Sequence, residues 1–217
     1  MWHNLRVPRT GSRGPGRPPA AKAAETRKRI MRAAREVFSE RGYEAATFQE
    51  IAVRADLTRP AINHYFTNKR VLYLEVVAQT TQLVVTAAIE RAQRETTLLG
   101  RLSQFVAATI EADAQNRSSA AFLITAVLES KRHPALSGVE NDSLHATRGF
   151  LNGVLDDAIQ RGELTSDTDV ASLTEMLVAV LCGVGFYAGF VGNRQELDAI
   201  TALLGQLMAG RLWQLRN

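Results

Sequence analysis

Residues 55–70, ADLTRPAINHYFTNKR, bring together side chains that can read the edges of nucleotide bases. Arg59 can make two hydrogen bonds to a guanine edge, Asn63 can do the same with adenine, and His64 can donate or accept. Pro60 and Ala61 can offer apolar contact to a thymine methyl group. A solvated surface has no need for this concentration of polar and aromatic residues, so the stretch predicts contact with DNA bases.

Three nearby residues are candidates for contacts with the phosphate backbone. Thr47 stands at a predicted helix N-terminus, where a hydroxyl and free amides favour a phosphate, and Lys69 stands at the next one. The hydroxyl of Tyr65 can reach backbone oxygens. The residues alone leave two alternatives open: Tyr65 as a residue at the edge of the core, and Arg59 and Lys69 as solvated surface charges.

Local signals predict the elements that position these residues. The sequence TFQE at 47–50 is a capping box, so a short helix begins there and ends near residue 55. The turn DLT follows, and Thr58 is expected to cap the next helix, with Pro60 in its first turn. Two short helices joined by a tight turn form a helix-turn-helix, which the sequence places at 47–66.

The neighbouring helices are also marked. The apolar stripe of Ile30 and Phe38 predicts a helix from about residue 25 to 41, which Gly42 ends. Thr67 is expected to cap a long connecting helix over 68–94.

Basic residues are concentrated at the N-terminal end. Residues 1–35 hold ten Lys or Arg and one acidic residue, Glu25; since the whole chain carries +4, residues 36–217 carry −5. Residues 1–23, rich in Arg, Gly and Pro, are expected to form a disordered basic arm. Within it, the sequence GRPP places Arg17 where an extended arm can enter a narrow minor groove. A basic solubility tail would look similar.

Residues 41–77, RGYEAATFQEIAVRADLTRPAINHYFTNKRVLYLEVV, resemble the DNA-binding domain of the tetracycline-repressor (TetR) family. The matching features are Gly42-Tyr43, Thr47, Ile51-Ala52, Ala55, Thr58, Pro60, Ile62, Tyr65-Phe66 and Asn68-Lys69. The resemblance implies an all-α, homodimeric repressor that binds a near-palindromic double-stranded DNA operator and responds to a small-molecule effector. It implies a three-helix DNA-binding domain at 24–80 and a helical effector-binding and dimerisation domain at 81–217.

By position, the resemblance implies specific roles and three departures. Base contacts fall to Arg59, Pro60, Ala61, Asn63 and His64, and phosphate contacts to Thr47, Tyr65 and Lys69. Asp56 stands where a Gly usually allows a positive φ, which Asp tolerates better than most residues. Asn63 replaces a frequent Tyr. Arg70 replaces a common acidic residue and adds positive charge near the DNA.

The C-terminal part reads as further amphipathic helices, because Gly and Pro are sparse after residue 20 and Ala and Leu are plentiful. They are expected roughly at 101–115, 118–131, 137–161, 168–192 and 195–214. The uncharged stretch 176–193 approaches the length of a membrane span, but its Gly and Ala content favours a buried helix at a protein interface. On the family layout it forms a dimer interface with the last helix through Gly185, Phe186, Gly189, Phe190, Leu204 and Leu207.

An effector pocket is expected among the inward-facing residues of these helices. The candidates are Phe105, Phe122, Thr125, Phe150, Met176 and Tyr187, although a Phe at helical spacing can equally belong to the core. Few charges fall on these inward faces, which favours an apolar or amphipathic ligand. No cofactor is expected.

Two other classes of function stay open. Glu129, His133 and Asp142 lie near one another in a way that a small helical enzyme could use, although they show no nucleophile–base arrangement. A membrane-associated helical protein would use 176–193. The lone Cys182 precludes an intrachain disulfide, no residue spacing argues for a metal, and the N-terminal end lacks an apolar signal segment. A cytoplasmic protein is therefore expected.

Overall fold

A computed structural model describes residues 19–115, 118–136 and 143–211 of the chain. These residues form helices and no strand, which confirms the predicted all-α fold. The α-helices are α1 Pro19–Ala45, α2 Phe48–Arg54, α3 Arg59–Tyr65, α4 Lys69–Thr81, α5 Ala87–Ala92, α6 Leu98–Gln115, α7 Ser119–Arg132, α8 Ser143–Gln160, α9 Val170–Phe186 and α10 Arg194–Met208.

The helix-turn-helix forms for the reasons that the sequence gives, with two differences at the caps. The Thr47 hydroxyl accepts from the Glu50 amide at 3.1 Å, and the Glu50 carboxylate accepts from the Thr47 amide at 3.0 Å. Thr58 precedes α3 but makes no side-chain cap. Asn68, not Thr67, caps α4, since its side-chain oxygen accepts from the Val71 amide at 2.9 Å. The prediction of Thr67 as the cap of α4 was therefore wrong, whereas Thr58 stands at the predicted N-cap position of α3 without a side-chain bond.

Helix α1 is longer than the sequence indicates, because it already begins at Pro19. Gly42 interrupts it with a φ of 75°, and a further turn then continues to Ala45. This left-handed residue changes the direction of the chain before α2.

The helix-turn-helix region shares its core with a helix from outside it. Its buried side chains include Phe38 of α1, Ile62 of α3 and Tyr73 of α4. Phe122 of α7 and Leu136, which follows α7 in a short 3₁₀ turn, are buried in the same cluster. The region from α1 to α4, here called the reading head, is therefore completed by one face of α7.

The predicted connecting helix is continuous but locally distorted. A π-helical segment, Gln82–Thr86, joins α4 to α5, and it buries Val84 and Val85 in a second core. A similar segment, Tyr187–Val191, follows α9. Such segments place an extra residue in the turn and occur often at functional sites.

Helix α9 is poorly covered within one chain. By length and composition, the runs 69–92 and 170–191 could each cross a membrane, but 44% of the apolar window is buried in the first and only 11% in the second. The second run therefore leaves most of its apolar window exposed, a pattern typical of surfaces that contact another protein or a membrane.

Candidate DNA-reading surface and effector cavity

Helix α3 has one buried face and one exposed face. Ile62 is fully buried and Phe66, which caps its C-terminal end, is nearly so. Arg59, Pro60, Asn63 and His64 are exposed, and Ala61 is half-buried. The five candidate base-contacting residues thus share one accessible face at the start of a helix, which is the arrangement that a recognition helix needs.

The turn before α3 is held in the geometry that its unusual residue requires. Asp56 has a φ of 51°, the one positive φ of a non-glycine residue in the described part of the chain. The Leu57 amide donates to the Ala52 carbonyl at 2.9 Å, and an Arg29 guanidinium N–H donates to the Asp56 carbonyl at 3.4 Å. Asp56 therefore adopts the conformation expected where a Gly is usual.

Partly exposed side-chain contacts join α1 to the helices on either side of α3 and to the end of α3 itself. The guanidinium of Arg27 in α1 donates to the Glu75 carboxylate of α4 and lies 4.9 Å from the centre of the Phe66 ring. Arg54 of α2 donates to Glu40 of α1 at 2.7 Å, and this bond lowers the pKa of the Glu40 carboxyl. These contacts fix the direction in which α3 presents its exposed face.

The ammonium of Lys69 makes contacts that differ from the predicted phosphate contact. It donates to the carbonyl oxygens of Tyr43 at 2.8 Å, Glu44 at 2.9 Å and Ala46 at 3.2 Å. It also lies 4.6 Å from the centre of the Tyr43 ring. An ammonium has three donors, so all three are used at the end of α1, and the structure gives Lys69 a role in holding the kinked end of that helix.

The other backbone-contact candidates lie at the surface of the reading head. Thr47 is exposed at the start of α2, although its hydroxyl is engaged in the capping box. Tyr65 is half-buried, with its ring 5.3 Å from that of His64. Arg17 lies outside the described residues. Arg70 turns away to donate to the Ala135 carbonyl at 2.8 Å, so the charge it adds is engaged with the segment after α7.

Two of the residues considered for an enzyme do meet, at the junction between α7 and the reading head. His133 Nε2 lies 3.2 Å from Glu129 Oε2, and Nδ1 lies 3.5 Å from Glu44 Oε1. The buried Glu129 carboxylate also accepts from the Tyr43 amide at 3.4 Å. These contacts join two elements of the fold, and Asp142 lies outside the described residues.

A cavity lies between the π-helical segment after α4 and helices α6, α7, α8 and α9. It holds about 800 Å³ of space, part of it open to solvent. Its described walls are mostly aliphatic, with Thr109 and Asp113 of α6, Ser143 and Thr147 of α8, and Cys182 of α9 as the more polar members. Burial raises the pKa of the Cys182 thiol. Mostly apolar walls with a few polar groups are typical of a site for a small ligand.

Of the six candidate pocket residues, only Phe105 lines this cavity. Phe122 is buried in the core of the reading head, and Phe150 stacks on Phe105 at 4.9 Å, behind the wall. Met176 is 51% exposed. The prediction of an effector pocket at these positions therefore needs correction.

The last two candidates, Thr125 and Tyr187, do not line the cavity either. The Thr125 hydroxyl donates to the Ala121 carbonyl of its own helix at 2.8 Å, and the Tyr187 hydroxyl donates to Glu196 of α10 at 3.1 Å. Sequence reasoning missed most of the wall, which includes Val85, Val106, Ile110, Asp113, Leu123, Ile124, Val127, Thr147, Val178, Leu181 and Cys182. Their i, i+3 and i+4 spacing on each helix marks them as inward-facing, but it does not distinguish a cavity wall from a filled core.

The candidate interface residues divide into two groups. Phe186 and Phe190 are 52% and 50% exposed with ring centres 5.4 Å apart, and Leu207 is 44% exposed on α10, with Leu204 half-buried beside it. Gly185 and Gly189 instead face α7 of the same chain: a Cβ added at Gly189 would lie 2.6 Å from a backbone amide of that helix. The close approach that these two glycines allow is therefore within one chain, which corrects their assignment to a dimer interface.

Within the described ranges, no group of three or more His, Cys, Asp or Glu side chains is placed to hold a metal ion.

Comparison with known proteins agrees with both parts of this architecture. Residues 30–76 match the family model of bacterial regulatory proteins, tetR family, and residues 99–212 match that of the BetI-type transcriptional repressor, C-terminal. The chain is 25% identical over 162 residues to the HTH-type transcriptional regulator UidR of Escherichia coli K12, covering 75% of this chain and 81% of UidR. It is 29% identical over 168 residues to the HTH-type transcriptional repressor BepR of Brucella suis, covering 75% and 80%.

Solved structures share the fold along most of the chain. The fatty acid degradation regulator FadR from Bacillus halodurans aligns with a TM-score of 0.69 at 20% identity, over 94% of this chain and 100% of its own. FadR from Bacillus subtilis, solved in complex with stearoyl-CoA, aligns with a TM-score of 0.67 at 22% identity, over 86% and 99%. The second family model alone spans more than half of the sequence. The chain therefore belongs to the tetR family of bacterial regulatory proteins, and it is a DNA-binding transcriptional regulator.

Proposed function

We propose that this regulator is a ligand-responsive repressor that binds a near-palindromic operator as a homodimer, in the cytoplasm, and carries out no catalysis. The observation that supports the DNA-binding part most directly is the division of α3. Arg59, Asn63 and His64 are exposed on one face, while Ile62 on the other face is fully buried. Removing the exposed side chains therefore tests base contact without opening the core.

In this proposal the start of α3 enters the major groove. Arg59 pairs with a guanine edge, Asn63 with an adenine edge, His64 with either, and Pro60 and Ala61 lie against a thymine methyl. The exposed Thr47 and the half-buried Tyr65 contact phosphates on either side. Lys69 contributes indirectly, because it holds the end of α1 against which α2 starts.

A second copy is the occupant that we propose for the exposed apolar face of α9 and α10. Phe186, Phe190 and Leu207 together expose a surface that two-fold symmetry can bury against itself. Each dimer then presents two reading heads, one for each half-site of the operator. The competing occupant is a lipid bilayer, since 170–191 is long enough to span one.

The cavity is the proposed effector site, with an apolar or amphipathic ligand. Its support is a position between two elements that connect with the reading head: Val84 and Val85 of the connecting helix line it on one side, and Ile124 and Val127 of α7 line it on another. A ligand that binds one arrangement of these helices more tightly shifts the equilibrium between the arrangements of the reading head. The free energy of that shift cannot exceed the difference in the ligand's binding free energy for the two arrangements. The stearoyl-CoA bound by the Bacillus subtilis relative is consistent with an apolar ligand in this fold.

The DNA-binding part is tested by a gel shift and footprint on the intergenic DNA beside its own gene. The double variant Arg59→Ala with Asn63→Ala should weaken specific binding by about thirtyfold or more, since each lost bidentate contact costs about 1–3 kcal/mol. Arg94→Ala is the matched control, because it removes an equal charge from an exposed position after α5. Equal footprints from the double variant and the control would reject the proposed reading face.

The dimer is tested by light scattering on the purified chain. Phe186→Glu should give a monomer, whereas Val53→Glu should stay dimeric, because Val53 is also an exposed apolar side chain but lies on α2 of the reading head. A wild-type monomer at micromolar concentration would exclude the proposed interface. Cell fractionation without detergent distinguishes a second copy from a lipid bilayer as the occupant of this face. Recovery of the protein in the membrane pellet would favour the bilayer.

A further inference from the structure

Two hydroxyl groups of the cavity wall have their hydrogens engaged within their own helices. Thr109 donates its hydroxyl hydrogen to the Val106 carbonyl at 2.8 Å, and Thr147 donates its own to the Ser143 carbonyl at 2.7 Å. The lone pairs of both hydroxyl oxygens stay available to a ligand. A ligand group that meets this part of the wall must therefore bring its own hydrogen.

Asp113 gives the same wall a negative charge. It lines the cavity on α6, and its Oδ1 accepts from the Ala120 amide at the start of α7 at 2.8 Å. Burial raises the pKa of the Asp113 carboxyl, and hydrogen bonds from the Ala120 and Ser119 amides and the charge of Arg35 oppose that rise. The carboxylate is thus engaged with the start of α7, and as a residue of the cavity wall it is also accessible to a ligand.

Arg35 acts on Asp113 from α1, but it is not among the described residues that line the cavity. Among the described lining residues there is no Lys, Arg or His, and Asp113 is the one acidic residue. A carboxylate or phosphate head on a ligand would meet acceptors and a like charge, both of which cost free energy in a partly dehydrated site. An ammonium would meet an acceptor set of the right charge.

We propose that the effector is an amphipathic amine, whose protonated nitrogen donates to Asp113 and the neighbouring hydroxyl oxygens while its apolar body fills the aliphatic part of the cavity. This inference rests on the proposed use of the cavity as the effector site, and it narrows the ligand to one charge class. Asp113 binds the head group, and residues such as Val178 and Leu181 contact the body.

The test compares three probes that share one hydrocarbon chain and differ in the head group: dodecylamine, dodecanol and dodecanoate. Their binding to the full-length wild-type chain is measured by calorimetry below their micelle-forming concentrations. Dodecylamine should bind about tenfold to a hundredfold more tightly than dodecanol, as expected for a charge-assisted hydrogen bond. Dodecanoate should bind more weakly than both.

Two single substitutions on α6 assign the preference to its residue. Asp113→Asn keeps the oxygen that accepts from the Ala120 amide and removes the charge, so dodecylamine should fall to the affinity of dodecanol. Glu111→Gln is the matched control: it removes an equal charge from the same helix at the exposed ion pair with Arg91, and it should leave all three affinities unchanged. Unchanged dodecanol binding in Asp113→Asn shows that the cavity is intact.

The possible results separate this inference from the proposed function. Dodecanoate binding as tightly as dodecylamine, or a preference for the amine that survives Asp113→Asn, overturns the amine assignment while the cavity remains a ligand site. Val184 lines the cavity, so Val184→Phe fills part of its space and should weaken the binding of dodecanol. If none of the probes binds, or if Val184→Phe leaves binding unchanged, the cavity is not the effector site and both proposals fail.

Discussion

Replacing Lys69 by Met distinguishes a clamp on α1 from a phosphate contact. The substitution keeps the long apolar stem and removes the ammonium, so the carbonyls of Tyr43, Glu44 and Ala46 lose their common donor. Two of these three bonds are partly buried. Hydrogen bonds to charged groups contribute about 1.5–3 kcal/mol each, and shared donors are not additive, so a loss of about 2–4 kcal/mol in the free energy of unfolding is expected.

Urea unfolding measures that loss, and the salt dependence of DNA binding provides the second observable. A lost phosphate contact would lower the slope of log affinity against log salt by about 0.9. The clamp requires instead that the slope at equal folded fraction stays unchanged while the unfolding midpoint falls. Lys131→Met is the matched control, since Lys131 is exposed on α7, and it should change stability by less than about 0.5 kcal/mol.

The opposite result has one meaning. If Lys69→Met unfolds at the same urea concentration as the wild type and loses about one unit of salt slope, the ammonium leaves the carbonyls for DNA. The reasoning from the three distances would then be refuted.

Four further substitutions test particular features of the fold. Thr47→Ala removes the N-cap of α2 and should lower the free energy of unfolding by about 1 kcal/mol in urea titration. Asp56→Gly should leave thermal stability unchanged or raise it, because φ is 51° there; a clear loss would contradict the strain argument. Gly189→Ala should cost about 1–3 kcal/mol by overpacking against α7, whereas Gly153→Ala in α8, where a Cβ meets nothing within 4 Å, should be neutral or stabilising. Burial raises the pKa of the Asp113 carboxyl above its ordinary value, so the folded state binds this proton more tightly than the unfolded state does. The stability of the wild type therefore falls as pH rises through the folded pKa. Asp113→Asn should be more thermally stable than the wild type at neutral pH, and the difference should shrink in acid.

The sequence predicted the helix-turn-helix to within about a residue because its signals are local. The capping box at Thr47, the positive φ at Asp56 and the Pro at the start of α3 each depend on a few neighbouring residues. The exposure of Arg59 and Asn63 followed from the phase of Ile62.

The contacts of Lys69 could not be predicted in this way. Its partners lie 23–26 residues earlier in the chain, and they come within reach because Gly42 redirects the end of α1. A motif fixes which residue stands at a helix start, but the distance to a carbonyl depends on the packing of two helices.

The prediction of the residues that line the cavity failed for a related reason. Helical periodicity shows that Phe122 points inward, but two faces of α7 are covered. One face packs in the core of the reading head, and the other lines the cavity. Leu123 and Ile124 face the second. Periodicity in a single sequence cannot tell which of two apolar faces borders an empty space and which is filled by aromatic rings.

Because Phe122 and Leu136 close the hydrophobic core around Phe38 and Tyr73, the first eighty residues are not a self-sufficient module. A chimaera that grafts this head onto the body of another regulator would leave aromatic rings uncovered unless the matching face of α7 travels with it. A recombination event between such genes that preserves this core has to exchange two separate segments, α1 to α4 and α7. Helix α7 is then expected to stay with the DNA-contacting helices as well as with the cavity that it lines.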